Sequence, residues 1–122
     1  MSGYTFGFEK LDVYQMGKSF VKDIYALTKR FPDVEKYGLV SQINRSAVSV
    51  VSNLVEGNSR NTPRDKAHFT QLSYSSLMEV LCQIDISREL EYIPIDDYHK
   101  VRMQVEELAK RLNGLRKRQL GG

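Results

Sequence analysis

The residues with the clearest chemical potential are the two histidines, because each follows an aspartate by three positions, as Asp65-x-x-His68 and Asp96-x-x-His99. The spacing is similar to the Glu-x-x-His pairs that bind metal ions inside some four-helix bundles. Each aspartate, however, falls in the first turn of a predicted helix, where the helix dipole favours an acid. Those two helices are predicted to be antiparallel, so the pairs lie at opposite ends of the molecule. We therefore expect neither a metal site nor a cofactor.

The single cysteine, Cys82, lies in the middle of a predicted helix, with no histidine placed to activate it. A free cysteine in that setting is more often a small buried hydrophobe than a nucleophile. The sequence contains no glycine-rich phosphate loop, no nucleophile elbow and no cysteine pair. Its aromatic residues keep helical spacing, which favours core packing over a base-stacking platform. We therefore expect a protein without catalytic residues that is not an enzyme.

The sequence predicts four helical segments, and these determine where the candidate functional side chains lie. Phe31-Pro32-Asp33 ends the first, because the residue before a proline is disfavoured in helical geometry. Thr62-Pro63-Arg64-Asp65 begins the third with an N-cap and a proline at the first helical position, and Pro94 separates the third from the fourth. The predicted helices span residues 9–29, 37–57, 63–91 and 95–119. Their short connections predict an all-α fold, an up-down-up-down antiparallel four-helix bundle.

The chain of 122 residues fits one domain, with residues 1–8 and 120–122 expected to be flexible ends. Small serines in the third helix should allow a close helix approach. The core residues predicted for that helix are Phe69, Leu72, Ser76, Val80, Ile84 and Ser87. The seam predicted for the fourth helix, with steps of three and four, is Tyr98, Val101, Val105, Leu108, Leu112 and Leu115.

The second helix has an unusual surface pattern, since apolar residues cover roughly half of its circumference. Its polar residues form a narrow stripe, namely Gln42, Arg45, Ser49, Asn53 and Glu56. A helix on the outside of a monomer would carry a broad charged face, so we expect a neighbouring subunit to cover part of this one. The stripe is interpreted as a solvent strip between packed neighbours or as an internal hydrogen-bond ladder that fixes helix register. A ligand groove is the alternative.

The antiparallel pairing of the second and third helices predicts a partner for Arg45. Counting back from the turn between them places Arg45 level with residues 74–79, where Glu79 is the only acid. Glu79 stands among apolar residues, and an unpaired carboxylate buried there would be costly. We therefore expect a structural ion pair between Arg45 and Glu79.

The topology also separates the charges between the two ends of the bundle. The end that gathers the start of the first helix, the turn between the second and third helices, and the end of the fourth is net basic, and we call it the basic pole. Its candidate nucleic-acid-binding residues are Lys10, Arg60, Arg64, Lys66, Arg116, Lys117 and Arg118. The alternative is a solvated loop with cations that complement the dipole of the fourth helix. The net charge of +3 permits nucleic-acid binding without requiring it.

The sequence predicts a cytoplasmic protein without a membrane partner. Its first residues lack a basic region followed by an apolar block, and its one cysteine cannot form an internal disulfide. No apolar run approaches the roughly 18 residues that a membrane span requires.

Several segments resemble the 23S rRNA intervening-sequence protein family. They are FEKLDVY at 8–14, TKRFP at 28–32, EKYGL at 35–39, QINR at 42–45, SVVSNLVEG at 49–57, Phe69, SLME at 76–79 and LEYI at 90–93. The resemblance implies a bundle that assembles into homopentameric rings and has an RNA-associated role. Family members usually have two adjacent basic residues before the small residue of the second helix, and here the first of the two is Asn44. This departure argues against a basic groove along the second helix.

The favoured function is that of a non-enzymatic, ring-forming bundle that associates with RNA through the basic pole. The alternative is a protein-protein interaction adaptor or scaffold, which would bind its partner without steep salt dependence. A small hydrolase or metalloenzyme is a third and weaker hypothesis. Self-association is expected because the first two helices have more apolar circumference than one core can cover. Gly17, Asn44 and Ala47 are the expected contact positions between subunits.

Overall fold

The structure, a computed structural model, describes residues 3–121 and consists of four long helices and two short 3-10 turns. The helices are α1 (Asp12–Thr28), α2 (Leu39–Asn58), α3 (Pro63–Glu89) and α4 (Ile95–Gln119). The 3-10 turns, Gly7–Lys10 and Asp33–Glu35, precede α1 and α2. Every predicted helix boundary lies within three residues of the observed one.

The start and end of α3 follow from local backbone chemistry. The hydroxyl of Thr62 accepts a hydrogen bond from the Asp65 N–H at 3.1 Å, which confirms the predicted N-cap. At the other end, Glu91 adopts a left-handed conformation with φ of 64°. This allows the Tyr92 N–H to donate to the Ser87 carbonyl at 2.9 Å. The helix therefore ends two residues earlier than the sequence predicts.

Each helix packs on its neighbours in the chain, and α1 closes on α4. Across the two diagonals, no helix pair approaches closely within the described part of the chain. This arrangement is the predicted up-down-up-down bundle. The contact between α2 and α3 is the closest, because Ser73 is fully buried and its hydroxyl donates to the Val50 carbonyl at 2.6 Å.

The core follows the predicted seam of α4 and, in the second half of the helix, the core residues predicted for α3. In α4, Val101, Val105, Leu108 and Leu112 are buried. In α3 the buried residues are Ala67, Thr70, Ser73, Ser76, Leu77, Val80, Ile84 and Ser87. Phe69 and Leu72 are therefore wrong as core residues in the first half of α3, where Thr70 and Ser73 occupy the inward positions.

The N-terminal segment runs across the start of α1 as a series of aromatic contacts. The rings of Tyr4 and Phe6 lie 4.9 Å apart, those of Phe6 and Phe8 lie 6.3 Å apart, and Phe8 meets Tyr14 of α1 at 5.0 Å. Of the ends expected to be flexible, residues 1, 2 and 122 lie outside the described residues. Among residues 3–121 no helix has the length and apolar character needed to cross a membrane.

Candidate nucleic-acid interface

The elements that carry the candidate basic residues meet at one end of the bundle. The Lys66 ammonium donates to the Asn58 carbonyl at 3.0 Å, which ties the start of α3 to the end of α2. The Thr70 hydroxyl donates to the Gln119 side-chain carbonyl at 2.8 Å, which ties α3 to the end of α4. The end of α2, the start of α3 and the end of α4 therefore meet at this end of the bundle.

Two of the predicted phosphate-binding residues bind their own chain instead. The Arg60 guanidinium donates to the Glu56 carboxylate at 2.6 Å and lies 4.4 Å from the centroid of the Phe69 ring. Lys66 is half-buried, and its ammonium satisfies the Asn58 carbonyl. The last carbonyls of a helix lack partners within the helix and attract cations. Arg60 and Lys66 are therefore structural residues of the turn between α2 and α3.

The other five candidates, Lys10, Arg64, Arg116, Lys117 and Arg118, are exposed. Lys10 and Arg118 line a groove of about 460 Å³ between the start of α1 and the last turns of α4. Lys110 and Arg111 line the same groove, and sequence analysis missed both. They precede Gly114 by four and three residues and Arg118 by eight and seven, and this spacing is the signal that would have found them, because such residues share one face of a helix.

We call this groove, lined by Lys10, Lys110, Arg111 and Arg118 with Asp12 as its one acid, the basic groove. The Arg111 guanidinium donates to Glu107 at 3.1 Å and lies 3.9 Å from the Asp12 carboxylate. Among the described residues, Lys10, Lys110 and Arg118 form no ion pair. The groove thus has a net positive charge with three cations available to an external anion.

The polar stripe of α2 is a surface strip. Gln42, Arg45 and Glu56 are exposed, and Ser49 and Asn53 are half-buried. The Asn53 amide donates to the Ser49 carbonyl of its own helix at 3.0 Å, and Glu56 pairs with Arg60. These contacts are local, and among the described residues they do not form the hydrogen-bond ladder that would fix the register of α2.

The predicted ion pair between Arg45 and Glu79 is wrong. Both residues are exposed, and no ion pair joins them. The Glu79 carboxylate instead accepts a hydrogen bond from the Ser46 hydroxyl at 3.3 Å. The height along the bundle is as predicted, but Ser46 rather than Arg45 faces α3, since adjacent helical residues differ by about 100° in direction.

Two of the three predicted subunit contacts, Gly17 and Ala47, are wrong because both residues are buried within the bundle, whereas Asn44 is half-buried and stays a prediction. Ala47 is fully buried in the core, and Gly17 is buried against α2. The Asn44 side-chain carbonyl accepts from the Thr28 hydroxyl at 2.9 Å.

Many charges at the end opposite the basic pole have partners. Arg30 pairs with Asp97, and the Tyr92 hydroxyl donates to Glu35 at 2.9 Å. That hydrogen bond, with burial and the nearby negative charge, raises the pKa of Tyr92. At a separate contact of the same pole, the hydrogen bond from Arg102 to the Tyr98 oxygen raises the pKa of Arg102. The six acids of this pole equal its six cations in number, so its net positive charge is lower than that of the basic pole.

The side chains considered for metal or nucleophilic chemistry are dispersed. His68 lies near the start of α3 and His99 near the start of α4, so they are at opposite ends of the bundle. Within residues 3–121, no three side chains of His, Cys, Asp or Glu group as a metal ion would require. Cys82 is exposed, so its expected burial is wrong.

A second groove, of about 740 Å³, runs along the outer side of α1 and α2, and we call it the α1–α2 groove. Its apolar walls include Tyr14, Val21, Tyr25, Val48, Val51 and Val55. Val48 is 40% exposed and Tyr25 is 41% exposed, so the apolar excess of α2 is open to the outside. Contiguous exposed apolar surface is a feature that interaction sites share.

Comparison with known proteins identifies a matching protein family and a crystal structure with a similar fold. The family described as 23S rRNA-intervening sequence protein matches residues 9–114. The fold is similar to the crystal structure of a protein with unknown function from the S23 ribosomal protein family of Bacteroides thetaiotaomicron VPI-5482. The TM-score is 0.79 and the identity 22%, and the match covers 86% of this chain and 98% of that chain. Among functionally curated proteins, no significant match is found.

Proposed function

The chain belongs to the 23S rRNA-intervening sequence protein family, and on this basis we propose that it is a non-enzymatic, ring-forming four-helix bundle that binds RNA through the basic pole. The observation that carries the proposal is the basic groove, in which Lys10, Lys110 and Arg118 form no ion pair with any residue in 3–121. The groove replaces Arg60 and Lys66 as the centre of the predicted interface.

The chemistry of the groove favours phosphate over base edges. Its cations are long, exposed side chains that can reach the oxygens of a sugar-phosphate backbone, and Arg118 offers the planar fork that matches a phosphate. Contacts of this kind release counterions and carry no sequence information. We therefore expect binding with weak sequence preference and strong salt dependence.

Assembly of several subunits into a ring would increase the RNA affinity that the modest positive charge of one subunit provides. A closed ring gives every subunit the same orientation about one axis, so the basic poles collect on one face of the ring. Arg64, Arg116 and Lys117, exposed at the same pole, would add to that face. An RNA strand that contacts several grooves at once gains affinity through effective concentration.

The alternative function, a protein-interaction adaptor, draws support from the α1–α2 groove. Its walls are apolar, which suits a protein helix better than a nucleic acid. An adaptor would bind its partner with little dependence on salt and without the cations of the basic groove. Variants that reverse the charge of the basic groove should therefore weaken RNA binding but leave the binding of an adaptor's protein partner unchanged.

The test compares two triple variants that carry the same change in net charge. In the first, Lys10, Lys110 and Arg118 are each changed to Glu, which reverses the basic groove. In the control, Lys29, Lys36 and Lys100 at the opposite pole are changed to Glu, and all six positions are exposed. Fluorescence anisotropy with a labelled single-stranded RNA at low salt should give at least a tenfold loss of affinity for the first variant and less than a threefold loss for the control.

Circular dichroism and light scattering establish that both variants remain folded and keep the wild-type mass. Equal RNA affinity for the groove variant and the wild type would overturn this site. Equal loss in both variants would show that only net charge matters. Absence of RNA binding by the wild type, with capture of a protein partner that survives high salt, would favour the adaptor.

A further inference from the structure

The outer face of α3 carries a regular row of exposed residues. Leu72, Ser75, Glu79, Cys82 and Ile86 follow one another by steps of three, four, three and four, and all five are exposed. We call this row the α3 stripe. The same spacing defines the seam of a coiled coil, where one helix packs along another. The stripe is therefore shaped to lie along a helical partner outside its own bundle.

The α1–α2 groove has the length and the charge to receive this stripe. From Tyr14 to Tyr25 the groove extends over eleven residues, about 16 Å of helix. The whole stripe from Leu72 to Ile86 is longer, about 21 Å, so the groove can receive its part from Leu72 to Cys82, about 15 Å. Lys18 and Lys22 line the groove, whereas Glu79 stands at the middle of the stripe. One anionic residue thus meets a groove whose charged lining residues are cationic.

The contacts within one subunit fix the heights of these residues along the bundle. A Cβ at Gly17 would lie 3.0 Å from a methyl of Val51, so those two residues are level. Lys22 is five residues further along α1, and Ser46 is five residues back along the antiparallel α2, so Lys22 and Ser46 are level too. Because the Ser46 hydroxyl donates to Glu79 at 3.3 Å, Glu79 lies at the height of Lys22.

We infer that the α3 stripe of one copy docks in the α1–α2 groove of the next copy, with Glu79 paired to Lys22 across the contact. The inference rests on the ring-forming part of the proposed function and identifies the two faces that meet. In a closed ring with the helices along its axis, all copies lie at the same height. Residues of equal height on the two faces therefore come together, which brings Glu79 to Lys22 and Cys82 to Tyr25.

The placement of the two faces suits a ring rather than a two-fold dimer. A two-fold contact uses the same patch on both copies, whereas here two different patches meet. Glu79 touches α2 through Ser46, so the stripe borders the bundle face next to the one that carries the groove. Adjacent faces of a four-helix bundle are turned by about 90°, and the two interfaces of a subunit in a ring of five by about 108°.

Docking would also cover the apolar surface that the monomer leaves open. Val48 and Tyr25 in the groove, and Leu72 on the stripe, are exposed large hydrophobic residues. Their burial at the contact would supply the stabilisation, while the pair of Glu79 and Lys22 would set the register and exclude a shifted arrangement.

The test uses Cys82, the only cysteine of the chain, as a built-in reporter on the stripe. Tyr25→Cys places a second thiol in the groove at the height of Cys82, and mild oxidation should join neighbouring copies into a covalent ladder on a non-reducing gel. Val55→Cys also lies in the groove, on α2, but about 18 Å from the height of Tyr25 along the bundle axis, and it should give no ladder. Cys82→Ser combined with Tyr25→Cys should abolish it.

A charge exchange gives an independent readout by light scattering. Glu79→Lys should raise the concentration for half-dissociation at least tenfold, and Glu79→Lys with Lys22→Glu should restore most of the wild-type value. Glu79→Gln keeps an acceptor for Ser46 and removes the charge, so weaker assembly in this variant reports the pair rather than folding.

The outcomes separate this contact from the proposed RNA function. An oligomer without the Tyr25→Cys ladder, or with an equal ladder from Val55→Cys, would overturn the docking mode and leave the RNA proposal intact. A monomeric wild type would overturn the ring itself. A ladder together with rescue by the charge exchange is the expected result, whatever the RNA affinity.

Discussion

At the scale of single residues, two helical glycines stand in opposite surroundings. A Cβ at Gly57 would lie 3.1 Å from both the Lys66 carbonyl oxygen and the Phe69 Cβ, so the start of α3 packs directly on the backbone of α2. A Cβ at Gly114 would meet only the Arg118 guanidinium, at 3.4 Å, and that side chain can move. Substitution of each glycine by alanine should therefore change the free energy of unfolding in opposite directions at the two sites.

We predict that Gly57→Ala lowers the free energy of unfolding by about 1 to 3 kcal/mol, because backbone atoms of α3 must shift. Gly114→Ala should raise it by up to about 1 kcal/mol, since alanine is the better helix former. Urea denaturation followed by circular dichroism measures both. Equal effects of the two substitutions would contradict the close contact at Gly57.

The basic pole shows what the sequence can and cannot predict at this scale. Counting residues identified the pole and the exposed cations Arg64, Arg116 and Lys117. It could not show that Arg60 would stack on Phe69 and pair with Glu56, because those contacts depend on side-chain directions. The same limit explains the error at Arg45 and Glu79. Their positions along the bundle axis were predicted correctly, but the direction in which Arg45 projects from α2 was not.

At the scale of elements, Tyr92 joins the turn after α3 to the 3-10 turn before α2. Its hydroxyl donates to Glu35 at 2.9 Å, and its ring lies 5.4 Å from that of Phe31. The hydrogen bond to Glu35 is the main cause of the raised pKa of Tyr92. A raised pKa in the folded state means that the folded protein holds this proton more tightly than the unfolded chain does.

This contact predicts a pH dependence of stability. The contribution of Tyr92 is fully present below pH 10, the ordinary pKa of tyrosine, and is lost as the pH rises through the higher folded-state value. Tyr92→Phe should therefore lose stability at neutral pH and show a flatter decline above pH 10 than the wild type. Tyr37→Phe, at an exposed position, serves as the control and should keep the wild-type profile.

The helix boundaries could be predicted because proline, N-cap and apolar spacing act locally. The inward face of α3 could not, because several of its core positions are hydroxyl residues. Ser87 is fully buried, yet its hydroxyl donates to the Gln83 carbonyl of the same helix at 2.7 Å. Such residues satisfy their polar groups locally, so a hydrophobic pattern does not reveal that they face the core.

At the scale of the whole molecule, the apolar face of α1 and α2 predicts self-association. The family resemblance implies five copies, so we expect light scattering coupled to size exclusion to give about five times the 14.1 kDa monomer mass at micromolar concentration. Val48→Glu, which puts a charge into the α1–α2 groove, should dissociate the particle. Gln42→Glu, at an exposed position on the same helix, should leave its mass unchanged. A wild-type mass near the monomer value would contradict the ring.

If the basic groove binds RNA through phosphate contacts, the affinity must fall as the salt concentration rises. Each phosphate that the protein neutralises on a single strand contributes about −0.7 to the slope of log affinity against log salt concentration. Lys10, Lys110 and Arg118 therefore predict a slope of about −2 or steeper between about 50 and 200 mM salt. An affinity for RNA that stays constant across this range would contradict binding through phosphate contacts.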